Sequence, residues 1–591
     1  MILKALYELY GRLAEQGVEL PRMGMSSQKI GFRIIITPQG DFVRIEDARA
    51  EEVVVKKGKK GSTEKSILVV RPQMVLGNTK PSGSGVNPCF LWDNAAYLLG
   101  CKKVKERALE YFAGTRKKYL EVEKLVASSK FSAVCRFLEQ WNPEKCETEF
   151  NIKELYTTNG VFRIQGDEVD VHEDAAITEW WLKYGLANWG SGKERDEQIG
   201  ICLVTGLKTS IARVHSAIKG NFVGATEPRL VSFNHESFLS YGKNQSYNSP
   251  VSEEAAFAYS NALNYLLRHR ENHLQIGDAL TVFWTDSPQE TKEDDELFVA
   301  SSLDAGGTPA MDEAIVERVR MRVEAISKGQ PVNEVLQGSA SVRFYILGVA
   351  ALSKARLTVR FFHESTLGDF ARNLQTHFAA MEIQRRGEKF NGPPIITPYL
   401  ILRETVRDQN DLPPFYSGAL MRAVLSGLPY PDVIALAIQR RIRVDGNVNY
   451  VRCAYLKAWL MRKSSLYQTT PMLDTNNTQP GYVLGRLFAA LVKTQEDALG
   501  KLNRTIKDAF YASASSTPQY VFPRILKLHL HHLAKLDGGR RVNREKQVQE
   551  IMSRLTGFPA RLDMAQQGLF ALGYYHQTQD FFKPKTNEQQ H

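Results

Sequence analysis

The C-terminal part of the chain has the most regular pattern of apolar and polar positions. From Leu484 to Phe510, apolar residues recur every three or four positions, which is the spacing of a helix with one buried face. Three shorter segments, residues 522–536, 542–555 and 564–575, repeat this pattern. Four such helices joined by short connections can bury one shared core, so residues 471–591 are predicted to form a four-helix bundle.

The first 370 residues show a mixed pattern. Short runs rich in β-branched and aromatic residues predict strands at residues 30–37, 66–71, 231–233, 280–284, 344–347 and 357–362. Helical spacing occupies residues 103–125 and 175–189, whereas the acidic residues 290–296 are predicted to form a loop. Helical patterns then fill residues 371–463, and a polar linker follows at residues 467–481.

These patterns together predict an α+β protein with three domains. Residues 1–370 form a large mixed lobe, residues 371–470 form a helical connector, and residues 471–591 form the all-α C-terminal bundle. At 591 residues the chain is too long for one ordinary core, which agrees with several domains.

Charge favours an anionic partner, although only modestly. The net charge is +11 and the isoelectric point is near 9.1. Residues 472–591 hold sixteen Lys or Arg and ten Asp or Glu, a balance of +6. Phosphate contacts are therefore predicted at Lys501, Arg504, Arg540, Arg541 and Arg544. The alternative is a solvated, mildly basic surface.

Composition also excludes several classes of protein. Hydrophobic content of 43% and charged content of 24% are typical of a folded soluble protein. The six cysteines show no C-x-x-C spacing, so no zinc site is predicted and reduced thiols are expected. The N-terminus lacks the features of a signal peptide, and no segment approaches the roughly 20 apolar residues of a membrane span. A cytoplasmic protein without cofactor or metal is expected.

A loop rich in glycine and proline occupies residues 77–88. Glycine permits close approach of backbone to a ligand, and polar side chains can bond to groove edges or phosphates. The candidate DNA contacts in this loop are Asn78, Lys80, Ser82, Gly83, Ser84, Gly85 and Asn87. A long surface turn is the alternative.

Two further segments carry candidate contacts. In residues 211–220, Arg213, His215 and Lys219 alternate closely enough to share one strand face. In residues 240–250, Lys243, Asn244 and Gln245 lie between Tyr241 and Tyr247, a mixture that can stack on bases and probe their edges. This second segment also fits an ordinary polar loop before a helix capped by Ser252.

Catalytic motifs are weaker. Trp189-Gly-Ser-Gly-Lys193 differs from a phosphate loop, because its first glycine is misplaced and Glu194 replaces the magnesium-binding Ser or Thr. The histidines at positions 529, 531 and 532 have no acidic partner at ligand spacing, and Asp286 ends a strand without a second acidic motif. No catalytic residue is predicted. A nuclease whose carboxylates escape recognition remains the alternative, and a purely structural assembly protein is a third possibility.

Seven segments carry a more specific signal. They are Phe90-Leu-Trp-Asp-Asn94, Cys202-Leu-Val-Thr-Gly206, Ile211-Ala-Arg-Val-His215, Ser240-Tyr-Gly-Lys-Asn-Gln245, Pro250-Val-Ser-Glu-Glu-Ala-Ala-Phe-Ala-Tyr259, Asn476-Asn-Thr-Gln-Pro-Gly-Tyr-Val-Leu-Gly-Arg-Leu487 and Gln567-Gly-Leu-Phe-Ala-Leu-Gly-Tyr-Tyr-His-Gln577. In this set and order, they resemble the large subunit of the type I-C CRISPR surveillance complex, called Cascade. The resemblance runs through nearly the whole chain.

The resemblance implies a non-enzymatic subunit of an antiviral complex. Such a subunit binds double-stranded target DNA under the direction of guide RNA, recognises the adjacent motif (the PAM), promotes R-loop formation and docks a separate helicase-nuclease. Its other implied partners are the guide-bearing backbone and the guide-processing subunits. Motif contacts would lie in residues 77–87, and strand-separating contacts at residues 243–245. The resemblance also implies a small subunit translated from an internal start, for which Met472 is the candidate.

Overall fold

The computed structural model describes most of the chain in two compact units. The described residues are 1–58, 61–77, 85–101, 106–149, 157–185, 189, 198–220, 222, 228–303, 313–353, 356–385, 395–467, 469–500 and 502–582. Unit 1 comprises residues 1–216 and 232–262, and unit 2 comprises residues 217–231 and 263–591.

Unit 1 is built around a mixed sheet. Its strands are β1 (Met25–Ile36), β2 (Phe42–Asp47), β3 (Ala50–Gly58), β4 (Gly61–Val69), β5 (Pro72–Leu76), β6 (Trp92–Asn94), β7 (Asn159–Ile164), β8 (Ile199–Ile201) and β9 (Lys208–Ser210). The main sheet has the order β2-β1-β7-β6, with β5 also paired to β1; β1 and β7 run parallel. Strands β3 and β4, and likewise β8 and β9, form separate antiparallel pairs.

Seven α-helices begin in the described part of unit 1. They are α1 (Ile2–Glu15), α2 (Ala95–Leu98), α3 (Ala108–Val126), α4 (Ser129–Gln140), α5 (Cys146–Glu149), α6 (Ala175–Trp180) and α7 (Glu253–Arg268), the last of which ends in unit 2. Phe32, Ile34 and Ile36 alternate along β1 and therefore share one face. They are buried in the same core as Phe131 and Phe137 of α4.

Unit 2 begins with an antiparallel sheet in the order β10-β11-β12-β13. These strands are β10 (His273–Ile276), β11 (Ala279–Thr285), β12 (Arg343–Ser353) and β13 (Arg356–Thr366). Trp284 and Tyr345 are directly opposite each other on β11 and β12, and their rings stack with centroids 5.1 Å apart. Such cross-strand aromatic pairs stabilise the register of the two strands. The strands predicted at residues 280–284, 344–347 and 357–362 are confirmed, since they lie within β11, β12 and β13.

The remaining helices of unit 2 follow this sheet or are inserted into it. They are α8 (Gln289–Leu303), α9 (Glu313–Ser327), α10 (Val332–Leu336), α11 (Leu367–Met381), α12 (Pro398–Arg403), α13 (Phe415–Ser426), α14 (Asp432–Asp445), α15 (Tyr450–Lys463), α16 (Pro480–Leu499), α17 (Ile506–Ala514), α18 (Pro518–Leu533), α19 (Gly538–Met552) and α20 (Met564–Asp580). One hydrophobic core extends from Phe344 through Phe370 and Trp459 to Phe488 and Phe570.

The C-terminal helical region is confirmed, but its first predicted helix is wrong. Residues 484–510 form two helices, because α16 ends before Gly500, whose φ of 66° lies in the left-handed region. Helix α17 then begins after Thr505, which forms a reciprocal capping box with Asp508. The region therefore has five helices among its described residues, instead of the four predicted.

The prediction of a loop at residues 290–296 is also wrong, because these residues lie in α8. Asp294 and Asp295 pair with Arg318 and Arg322 of α9 at 2.9 and 3.4 Å. The neighbouring Phe298 is fully buried. Arginines from a later helix thus neutralise charges that suggested a solvated loop.

The α+β fold class is confirmed. The predicted strand at residues 231–233 is wrong, since those residues form no regular element. The sheet of unit 2, assigned from sequence to the N-terminal lobe, shares its core with the later helices. Compactness alone does not decide which segments fold independently, so the division into residues 1–370, 371–470 and 471–591 stays a prediction.

Two of the six cysteines lie close together in the fold. Cys101 and Cys146 lie with their Cα atoms 5.5 Å apart, a separation that a disulfide can span, and the expectation of reduced thiols stays a prediction. Folding brings the two cysteines together from 45 positions apart, a separation with no sequence signature. Among the described residues, no helix is both long and apolar enough to cross a membrane.

Candidate nucleic-acid interface

The loop at residues 77–88 is only partly described. Asn78, Lys80, Ser82, Gly83 and Ser84 lie outside the described residues. Of the other two candidate contacts in this loop, Gly85 is exposed and Asn87 is half-buried. The described geometry is therefore that of the two flanks, where the chain enters and leaves the loop.

The first flank is held by two indole groups. Gly77 donates its N–H to the carbonyl of Gly24 at 2.7 Å, and Trp181 Nε1 donates to the same carbonyl, also at 2.7 Å. Trp92 Nε1 donates to the carbonyl of Leu76 at 2.7 Å. Gly77 has φ of 97°, a conformation that favours glycine, so the chain turns sharply where the loop begins.

The second flank is held by an aromatic cluster formed by Phe90, Tyr119, Trp181 and Trp189. Trp189 Nε1 donates to the carbonyl of Pro88 at 3.0 Å, and Tyr119 donates its hydroxyl to the carbonyl of Cys89, also at 3.0 Å. Phe90, next along the chain, stacks on Trp181 with ring centroids 4.6 Å apart. One buried set of rings thus fixes both flanks of the glycine-rich loop. The sequence signal was the unusual density of tryptophan at positions 180, 181 and 189.

The predicted strand carrying Arg213, His215 and Lys219 is wrong. Residues 212–219 form no strand, and Lys219 belongs to unit 2 whereas the other two belong to unit 1. His215 is buried, its Nδ1 lies 2.6 Å from the hydroxyl of Tyr259, and burial lowers its pKa to about 4. Arg213 and Lys219 are exposed. His215 is therefore neutral at pH 7 and inaccessible to phosphate, whereas the other two side chains reach solvent.

The loop at residues 240–249, called here the clasp loop, is fully described. The side chain of Asn248 accepts the N–H of Ser240 at 2.8 Å and donates to the carbonyls of Lys243 and Gln245 at 2.8 and 2.9 Å. These three bonds close the loop on itself. At its base, Ser246 donates its N–H to the carbonyl of Arg213 at 3.1 Å.

The tip of the clasp loop presents polar groups to solvent. Lys243 and Asn244 are exposed, whereas Gln245 is half-buried with its Oε1 buried and without a partner among the described residues. Tyr241 is 97% exposed, but Tyr247 is only 5% exposed and so cannot stack on a base as predicted. The sequence positions of the two tyrosines do not indicate which one is exposed.

The clasp loop and its immediate flanks carry no acidic side chain. Residues 237–252 contain no Asp or Glu, and the exposed Lys243 lies in the middle of this stretch. The segment that carries exposed Arg213 bonds to the base of the same loop. Ser252, as predicted, caps the following helix α7 by accepting the N–H of Ala255 at 3.0 Å.

Some of the cations predicted to contact phosphate in the C-terminal region have partners within the fold. Arg544 pairs with Asp497 at 2.7 Å and lies over the ring of Phe581, and Arg540 pairs with Asp537 at 3.4 Å. Arg504 and Arg541 are exposed, and Lys501 lies outside the described residues. Two of the five predicted phosphate contacts therefore already have carboxylate partners.

A second basic surface of this region was not predicted from the sequence. Arg524, Lys527 and Lys535 are exposed on or just after α18, and no ion pair to a carboxylate is found for them among the described residues. We call these three residues the α18 cationic face. The signal was the complete absence of Asp and Glu from residues 509–536, which includes all of α18.

Two carboxylates near the second sheet, Asp286 and Glu296, each have a partner within the fold. Asp286, considered above as a strand-end acid, pairs with Arg343 at 3.0 Å. Burial raises the pKa of Glu296 to about 7, and its Oε2 accepts a hydrogen bond from Asn272 at 2.7 Å. No group of three His, Cys, Asp or Glu side chains in the described residues could hold a metal ion. Of the histidines weighed as ligands, His529 and His532 are buried in α18.

Comparison with known proteins places these features in context. A family model described as CRISPR-associated protein (Cas_Csd1) matches residues 6–582 of the chain. No curated protein matches it. The match spans both compact units and includes the aromatic cluster, the clasp loop and the α18 cationic face.

Proposed function

Because the chain belongs to the Csd1 family of CRISPR-associated proteins, we propose that it reads the short motif beside a DNA target and opens the duplex there for guide RNA. Family membership makes it a large subunit of Cascade. In such complexes, base pairing with guide RNA reads the target sequence, so the protein has to recognise only the adjacent motif and the shape of the nucleic acid.

The clasp loop is the observation that most strongly supports duplex opening. A projecting tip with Lys243 and Asn244 combines a cation for phosphate with an amide for base edges. The three hydrogen bonds of Asn248 close the loop that carries these groups. A rigid tip loses little conformational entropy on binding, and therefore more of its contact energy is available to separate base pairs.

Motif recognition is assigned to the loop at residues 77–87. Its flanks are fixed by Trp92, Trp181 and Trp189, which hold the backbone at or beside the two ends of the loop. Asn78 and Lys80 are the proposed base and phosphate contacts in this loop. Reading a base edge requires hydrogen-bonding groups that approach from a defined direction, and the buried anchors fix the two flanks from which this loop departs.

The C-terminal region is proposed to hold a nucleic-acid strand through exposed cations. The α18 cationic face, with Arg504 and Arg541, supplies phosphate contacts without competing carboxylates in residues 509–536. A fragment translated from Met472 would contain α16 to α20 and hence this face. It would lack α15, whose Cys453 donates its thiol to the carbonyl of Ala571. A purified complex without such a fragment in its mass spectrum contradicts the internal start.

The proposed partners follow from this role. They are guide RNA on its backbone subunits, the guide-processing subunit, double-stranded target DNA and a separate helicase-nuclease, all in the cytoplasm. The chain itself is proposed to be non-catalytic, with DNA cleavage performed by the helicase-nuclease.

One experiment separates this proposal from a nuclease. The full chain, alone and assembled with guide RNA and partner subunits, is incubated with a matched duplex and Mg²⁺ or Mn²⁺. The proposal expects motif-dependent binding by the assembly and intact DNA in both samples. Cleavage by the chain alone overturns the non-catalytic assignment, and binding by the assembly that ignores the motif overturns the recognition role.

A further inference from the structure

The tip of the clasp loop carries an aromatic ring that makes almost no contact with the rest of the protein. Tyr241 is 97% exposed, the largest exposed fraction among the exposed hydrophobic residues of the described chain. A tyrosine ring normally contributes by burying its large apolar surface. The ring of Tyr241 buries almost no apolar surface in the folded chain, so any stabilising contact that it makes has to be with another molecule.

The backbone at this ring is held in an unfavourable conformation. Tyr241 has φ of 52° and Gln245 has φ of 48°, both in the left-handed region that side chains with a β-carbon rarely adopt. Glycine would adopt these angles more easily, as Gly242 does at 67°. Strained backbone at non-glycine residues persists where the surrounding structure enforces it, and it concentrates at functional sites.

Asn248 enforces this conformation. Its side chain bonds to the backbone of Ser240, before Tyr241, and to the backbones of Lys243 and Gln245, after it. The oxygen accepts and the amide nitrogen donates twice, so every bond depends on the orientation of this one amide. Removing it frees the tip while the exposed ring remains in the sequence.

We infer that Tyr241 stacks on an unpaired nucleobase and that Asn248 is the positioning residue that holds the ring in place for stacking. Base stacking needs an open aromatic face, and every base offers one, whereas an attractive charge nearby retains the phosphates. The acid-free stretch at residues 237–252 supplies that charge through Lys243. This inference rests on the proposed role in duplex opening, because opening exposes the unpaired base.

The first test measures stacking directly, without the guided complex. The full chain is titrated with a single-stranded DNA oligonucleotide that contains one 2-aminopurine, whose fluorescence changes on stacking. Tyr241→Phe should bind like the wild type, because the ring is kept. Tyr241→Ala should bind between about 5-fold and about 150-fold more weakly, the range for losing one base–aromatic stack. Tyr184→Ala, which removes another exposed ring of unit 1, should bind normally.

The second test separates positioning from general structure. Asn248→Ala should weaken the 2-aminopurine signal in the wild-type background but have no further effect in the Tyr241→Ala background, because it acts through that ring. A purely structural role would lower binding equally in both backgrounds. Equal losses therefore overturn the positioning role of Asn248.

The outcomes distinguish this inference from the proposed function. If Tyr241→Ala binds the oligonucleotide as tightly as the wild type, stacking is wrong, whether or not the complex opens DNA. If it loses association with partner subunits instead, the ring is a protein contact and the inference is equally overturned. If stacking is observed but the assembled complex leaves a motif-bearing duplex closed, stacking stands and the opening role fails.

Discussion

Gly485 of α16 lies so close to the backbone carbonyl of Phe570 in α20 that a β-carbon on Gly485 would overlap it. Gly481 and Gly573 make similar approaches along the same pair of helices. Glycines therefore bring the two helix backbones into direct contact, and the core between α16 and α20 is closed by main chain as well as by Phe488 and its neighbours.

Replacing Gly485 with alanine should loosen this contact. Overpacking costs about 1–3 kcal/mol, which corresponds to at least about fivefold faster opening of the helix pair. Hydrogen–deuterium exchange of α16 and α20 in the full chain measures this opening. Gly538→Ala is the control, because a β-carbon there meets nothing within 4 Å. Unchanged exchange in Gly485→Ala would contradict this account, because the helix pair would then accept the β-carbon without loosening.

The α18 cationic face should govern the salt dependence of single-strand binding. Replacing Arg524, Lys527 and Lys535 with glutamine removes three phosphate contacts, so the slope of log affinity against log salt concentration should shrink by about 2. Fluorescence anisotropy of the full chain with single-stranded DNA gives this slope.

The matched control for that experiment replaces three exposed cations of α3, Arg116, Lys117 and Lys124, with glutamine. The same helix also carries Glu110, Glu121 and Glu123, whereas α18 carries no acidic residue. If the α3 variant and the α18 variant lose equal slope, binding follows net charge alone and the α18 cationic face has no special role.

Gly77→Ala should weaken motif discrimination by the assembled complex. An alanine at φ of 97° is strained, and its β-carbon would lie 3.3 Å from Trp181 Cζ2, so the first flank of the motif loop has to move. Losing one base contact of about 1 kcal/mol lowers the preference for motif-bearing over motif-free duplex about fivefold.

Gly166→Ala controls for the strain alone, since Gly166 has φ of 93° and open space around it. Both variants should lose similar stability, about 1 kcal/mol or more. Only Gly77→Ala should change the ratio of the two affinities. If both variants show the same ratio of affinity for motif-bearing duplex to affinity for motif-free duplex, the first flank has no role in motif recognition.

His215 should make the folded chain less stable in mild acid. Its pKa in the fold is about 4, below the ordinary value of about 6.5 in the unfolded chain, so only the unfolded state takes up the proton between these values. The free energy of unfolding should therefore be highest at neutral pH and fall by up to roughly 3 kcal/mol as pH drops from about 6.5 to about 4.

Urea denaturation of the wild type and of His215→Gln, at neutral pH and at pH 5, measures this contribution. The variant lacks the titrating group and should show a flatter pH dependence, with other buried histidines such as His377 contributing equally to both proteins. Parallel pH profiles would mean that His215 does not titrate as its burial requires.

Local sequence patterns predicted much of the fold. Residues 280–284 form a strand because β-branched and aromatic side chains suit a buried sheet, and Ser252 caps α7 because its hydroxyl can reach the first turn. The acidic residues 290–296 were misassigned, since their neutralising arginines lie on α9 and only folding brings them together. Long-range pairing of this kind leaves no periodicity in the sequence.

The candidate site was predictable to a similar extent. Composition identified the clasp loop, but not that Tyr247 is buried and Tyr241 exposed, because burial depends on how the loop folds back on the rest of the unit. The spacing of Arg213, His215 and Lys219 suggested one face, whereas the chain bends there and buries the histidine. The three indole anchors of the motif loop act on backbone carbonyls, which no pattern of side chains reveals.

Motif-dependent strand opening tests the central claim most directly. The assembled complex is mixed with duplexes that carry 2-aminopurine beside the motif, with the motif intact or scrambled. We expect opening only with the intact motif, loss of opening but retained motif-dependent binding in Lys243→Ala/Gln245→Ala, and loss of motif preference in Asn78→Ala/Lys80→Ala. Opening that ignores the motif, or that both double variants leave unchanged, would contradict the account.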